Sequence, residues 1–103
     1  MSTIMSGSRY LIVSGDTSKF FVKADMEDED DADSLTNEPL KATLFAHPSM
    51  AQRLIDDRWR DIVAECKSGV IQPGQLNSWQ LFWKDAQVVT FHFSVRKENS
   101  HGR

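Results

Sequence analysis

The sequence has a single cysteine, Cys66, so no disulfide can form within the chain. A lone thiol fits a reducing compartment. No apolar run approaches the roughly 20 residues that cross a bilayer, and the opening MSTIMSGSRY has neither the basic start nor the apolar stretch of a secretory signal. The expectation is a cytoplasmic protein with no membrane partner. Also missing are a Gly-x-Ser-x-Gly elbow, a P-loop and a dinucleotide fingerprint. His47, His92 and His101 stand far apart, and none has a Cys or His neighbour at zinc spacing. The sequence therefore names no catalytic residue, no metal ligand and no cofactor. The expectation is a non-enzymatic protein.

What the chain does have is charge in one place. Seven of the nine residues at 25–33 are acidic: Asp25, Glu27, Asp28, Glu29, Asp30, Asp31 and Asp33. The whole chain carries 12 basic and 15 acidic residues, a formal charge of −3, yet without those seven it would have 12 basic and 8 acidic. One short acidic segment thus sits on a mildly basic body. Such a segment steers association with a basic partner and makes binding salt-dependent. Its like charges also repel, which favours a solvated loop. Calcium is the weaker alternative, because the run lacks the glycine and closing glutamate of an EF-hand loop.

With 103 residues the chain makes one domain, of which 1–8 and 98–103 read as flexible ends. RYLIVS at 9–14 and KFFVKA at 19–24 read as strands joined by the turn residues GDTS. The acidic loop spans 25–38, with too little apolar content to order itself. LKATLFA at 40–46 reads as a third strand. Met50, Ala51, Leu54, Ile55, Trp59, Ile62, Val63 and Cys66 recur at spacings of three and four, the stripe of an amphipathic helix. Ser49 and Gln52 have capping-box spacing at its start, Asp56 and Arg60 pair on its polar face, and Gly69 is placed to end it. Cys66 belongs to that stripe and reads as structural.

WQLFWK at 79–84 and QVVTFHFSVRK at 87–97 read as two more strands. In the last, Val89, Phe91, Phe93 and Val95 share one face. The expected fold is α+β: a two-layer domain with a mostly antiparallel sheet of about five strands and one helix, in the order β-β-β-α-β-β.

Two surfaces follow. The first is the acidic run, facing a basic protein partner that itself binds nucleic acid. The second interleaves Lys19, Phe21, Lys23, Phe45, Phe82 and Lys84 on the sheet face away from the helix. Aromatic platforms with basic neighbours stack on single-stranded nucleic acid, and the same pattern fits a homodimer face. In size and charge the chain resembles the small acidic inhibitors of phages and mobile elements, and the immunity proteins of nuclease toxins. No motif is matched, so that resemblance carries no residue over. It implies an inhibitor that uses its acidic surface.

Overall fold

The computed structural model describes residues 3–16, 18–24, 27 and 32–97, with backbone alone at 3, 4, 96 and 97. Four strands, β1 (Thr3–Val13), β2 (Phe20–Val22), β3 (Ser34–Thr36) and β4 (Gln87–Lys97), form one antiparallel sheet in the order β3-β2-β1-β4. Helices α1 (Pro48–Lys67) and α2 (Ser78–Lys84) lie between β3 and β4 in the chain. The domain is α+β as expected, but with four strands and two helices in place of five and one.

Four segments depart from expectation. β1 begins at Thr3, because β4 pairs with it residue for residue from Thr3–Lys97 to Val13–Gln87. Residues 3–8, expected to be frayed, are therefore strand; 1–2 and 98–103 lie outside the described residues. The expected strand at 40–46 is a short 3-10 turn, Pro39–Lys41, followed by one isolated bridge from Phe45 to Tyr10. Pro39 has no N–H to give a ladder, and Lys41 N–H instead closes the turn on Glu38 O at 3.0 Å. The third strand comes from the expected loop: Phe21 pairs with Leu35, and Leu35 packs against the core.

The expected strand at 79–84 is α2. Asn77 Oδ1 accepts from Gln80 N–H at 2.8 Å, while Gln80 Oε1 accepts from Asn77 N–H at 2.9 Å. This capping box satisfies two backbone donors that a helix start would leave orphaned. Phe82 and Trp83 then turn inward and Leu81 outward, at 46% exposure.

In α1, Ala51, Ile55 and Ile62 are buried and Leu54, Trp59 and Cys66 pack beside them, as the stripe predicts. Met50 is exposed. His47 is the N-cap, with Pro48 in the first turn and no side-chain cap bond, so the expected Ser49–Gln52 box does not form. Asp57, not Asp56, is the acceptor for Arg60, at 2.6 Å. The C-terminus closes on Gly69 at φ 82°, with Val70 N–H bonded to Glu65 O and Gly69 N–H to Cys66 O. That pair of bonds is the Schellman closure, and a side chain at Gly69 would strain it.

The helices pack with Ile12, Phe21, Leu35 and Val88 around Trp83, which is 1% exposed. Trp83 meets Phe21, Trp79 and Phe82 edge-on, with ring centroids 5.3, 5.6 and 5.0 Å away. Such aromatic contacts add about 0.5–1.5 kcal/mol each beyond area burial.

β1 and β4 outrun this core. The molecule measures 67 × 28 × 21 Å and has a radius of gyration of 17.9 Å, against about 13 Å for a compact chain of this length. Past the bridge at Tyr10, residues 3–9 and 91–97 continue as a two-stranded ribbon.

Candidate functional site

Of the seven acids, Asp25, Asp28, Glu29, Asp30 and Asp31 lie outside the described residues. Glu27 is exposed. Asp33 is half-buried and structural: its Oδ1 accepts from Ala24 N–H at 2.7 Å, and its Oδ2 accepts from Arg58 Nη2 at 2.9 Å. These bonds tie residue 24 to residue 33 and both to α1. They close the base of the acidic connection between β2 and β3, and they give Asp33 a structural role. Arg58 carries no expectation from the sequence. Its signal is position, since it lies three residues after Ile55 and four before Ile62, inside the apolar stripe.

The expected Phe/Lys surface does not assemble. Phe21 and Phe82 are 1% and 4% exposed, and Phe45 is half-buried with its ring stacked 6.4 Å from Phe21. Lys19, Lys23 and Lys84 are exposed, but no phenylalanine platform stands among them. The cause is α2: Phe82 sits on a helix and faces the core, where a strand would have turned it outward.

A cleft of about 950 Å³ lies between the β1–β2 turn and α2, lined by Asp16, Lys19, Leu35, Leu81 and Asp85 among others. Asp16 organises the turn, accepting at Oδ1 from Ser14 Oγ, Ser18 Oγ and Ser18 N–H. The hydroxyls of Ser14 and then Ser18 hold its carboxyl down to about 2. An acid held ionised by its own turn is a structural device, with no proton to give near neutrality. A smaller apolar hollow of about 370 Å³ is lined by Trp59, Val63, Cys66, Leu76 and Lys84. Cys66 is half-exposed there rather than fully buried. His92 bonds Ser8 Oγ at 3.0 Å across the ribbon and is exposed. Among the described residues no three His, Cys, Asp or Glu side chains come together as a metal group. Among the described residues no helix is long and apolar enough to cross a membrane.

The ribbon is the other feature the sequence did not disclose. Opposed residues share a face, so Met5, Gly7, Arg9 and Leu11 stand with Val95, Phe93, Phe91 and Val89. Ile12 and Val88, which meet the helices, are on the other face. Phe91 and Phe93 stack at 6.5 Å, and the Arg9 guanidinium lies 5.7 Å over the Phe93 ring. Phe93 also covers Gly7, where a Cβ would come within 2.8 Å of its Cζ. Met5 and Val95 are 54% and 49% exposed. Comparison with protein-family models, curated proteins and solved structures returns no match.

Proposed function

We propose that this chain is a non-enzymatic protein-binding module, a small inhibitor whose acidic run engages a basic partner. The observation that supports it is the closed base of the acidic connection. Ala24 and Arg58 grip Asp33, so residues 24 and 33, which flank the other six acids in the sequence, are held together at the β3–β2 side of the sheet. Concentrated charge of one sign raises the encounter rate with an oppositely charged surface and falls off with salt. A partner with a groove lined by Lys and Arg, of the kind that holds nucleic-acid phosphates, has the matching chemistry.

The test replaces Glu27, Asp28, Glu29, Asp30 and Asp31 by Gln or Asn and leaves Asp33 in place. Proteins captured from host extract by the native chain are identified, and association kinetics with the purified partner are measured at two ionic strengths. The neutralised chain is expected to associate at least about tenfold more slowly and to lose most of its salt dependence. A chain with the same acids in scrambled order should stay close to native. Equal rates for neutralised and native chains would refute the reading.

A further inference from the structure

We propose that the free edge of β4 pairs antiparallel with β4 of a second copy about a two-fold axis at His92, making one continuous eight-stranded sheet. This goes beyond the proposed function and uses the opposite side of the sheet from the acidic run.

The edge itself is the first argument. β4 is the outer strand over 11 residues, about 36 Å of backbone edge with no strand paired to it among the described residues. Edge strands are ordinarily blunted by shortness, proline, a bulge or inward charge. From 87 to 95 this strand has no proline and no Lys, Arg, Asp or Glu, and its register with β1 runs unbroken. Basic residues come only at 96 and 97.

Symmetry then selects the register. A two-fold axis normal to the sheet maps each face onto itself, so odd residues must meet odd and even must meet even. The register that uses all 11 residues sets His92 against His92. Phe91 then meets Phe93 of the second copy, and Val89 meets its Val95. The stacked Phe91–Phe93 pair would join its counterpart in a cluster of four rings across the axis. Aromatic and β-branched pairs of this kind are what stabilise neighbouring strands.

Charge agrees with that register. Gln87 and Val88 would lie opposite Lys97 and Arg96, so no two Lys or Arg positions oppose one another. Asp85, two residues before β4 and exposed, would lie diagonal to Lys97 of the other copy. The antiparallel arrangement also sets the projecting half of each ribbon beside the body half of the other.

The mass of the full chain in solution is measured by light scattering from micromolar to submillimolar concentration, with cysteine variants in a Cys66→Ser background. Twice the chain mass of 11.7 kDa is expected as concentration rises. His92→Cys should cross-link to itself under mild oxidation, since directly opposed Cβ atoms stand about 5 Å apart. Thr90→Cys should not, because the two copies of that residue would be about 14 Å apart. Val95→Glu, at an exposed position, should weaken the dimer at least about tenfold with its circular dichroism unchanged. A monomer at every concentration would overturn the proposal and leave the edge to a strand of a different protein. Equal cross-linking of the two cysteine variants would overturn the register.

Discussion

Asp33 is an acid of the run that the structure ties to the fold, and its removal tests that structural role. Asp33→Ala takes away the acceptor of Ala24 N–H at 2.7 Å and of Arg58 at 2.9 Å. A hydrogen bond to a charged group contributes about 1.5–3 kcal/mol when well shielded. Here the side chains of Arg58 and Asp33 are 43% and 23% exposed, so water replaces part of the ion pair and lowers its share. Arg58 Nε is buried without a hydrogen-bond partner, which makes the guanidinium more dependent on Asp33. The expected loss is about 2 kcal/mol, or about 8–16 °C in Tm for a domain of this size. Asp33→Asn keeps an acceptor for Ala24 and should lose about half as much. Glu27→Gln should fall within about 0.5 kcal/mol of native, as exposed changes do. Urea titration followed by tryptophan fluorescence measures all three. A cycle with Arg58→Ala should show coupling of about 1 kcal/mol. An Asp33→Ala chain as stable as Glu27→Gln would refute the structural role.

Two further outcomes test the packing and the turn. Trp83→Ala should cost about 3–5 kcal/mol and Leu81→Ala under about 1 kcal/mol, because the helix buries the first and exposes the second; equal costs in urea would restore the alternating strand at 79–84. Asp16 has its carboxyl lowered from 3.8 to about 2 in the fold, so its contribution is present above the ordinary carboxylate value and lost as pH falls toward 2. Native protein should exceed Asp16→Ala in Tm near neutrality, with the gap closing across that acidic window; a constant gap would mean the turn does not depend on the ionised acid.

The elements legible in the sequence were those whose periodicity had one reading. β4 alternates from Val89 to Arg96, and the stripe of α1 admits no strand. WQLFWK is ambiguous: Trp79, Leu81 and Trp83 fit a period of two, while Trp79, Phe82 and Trp83 fit spacings of three and four. The cap resolves it, since Asn77 and Gln80 have capping-box spacing. β3 was not legible, because SLT offers a single apolar residue and becomes a strand through pairing with β2. The same limit hid the first half of β1. MSGS has no strand propensity of its own, yet Phe93 fills the space that Gly7 leaves, a compensation visible only once the register is known. For the candidate site, the charge of the acidic run was legible and the role of Asp33 was not, since that role depends on Arg58, 25 residues away.

The ribbon raises a question of energy that the monomer answers only in part. Two strands alone are marginal in water, and beyond Tyr10 the helices no longer supply a face. Across the ribbon, Met5–Val95, Gly7–Phe93 and Arg9–Phe91 are the opposed pairs of its apolar side, and such pairs give about 0.2–1 kcal/mol each. Fixing the backbone costs about 1–2 kcal/mol per residue, so these pairs alone do not offset the ordering of residues 3–9 and 91–97. A third strand along β4 supplies what is missing, in new ladder hydrogen bonds and in contacts for Phe91, Phe93 and Val95. The ribbon's stability should then depend on protein concentration while that of the helical body does not. Amide exchange at residues 91–95 should slow as concentration rises, with exchange in α1 unchanged. Exchange at 91–95 that is independent of concentration would show that the ribbon stands on its own cross-strand pairs.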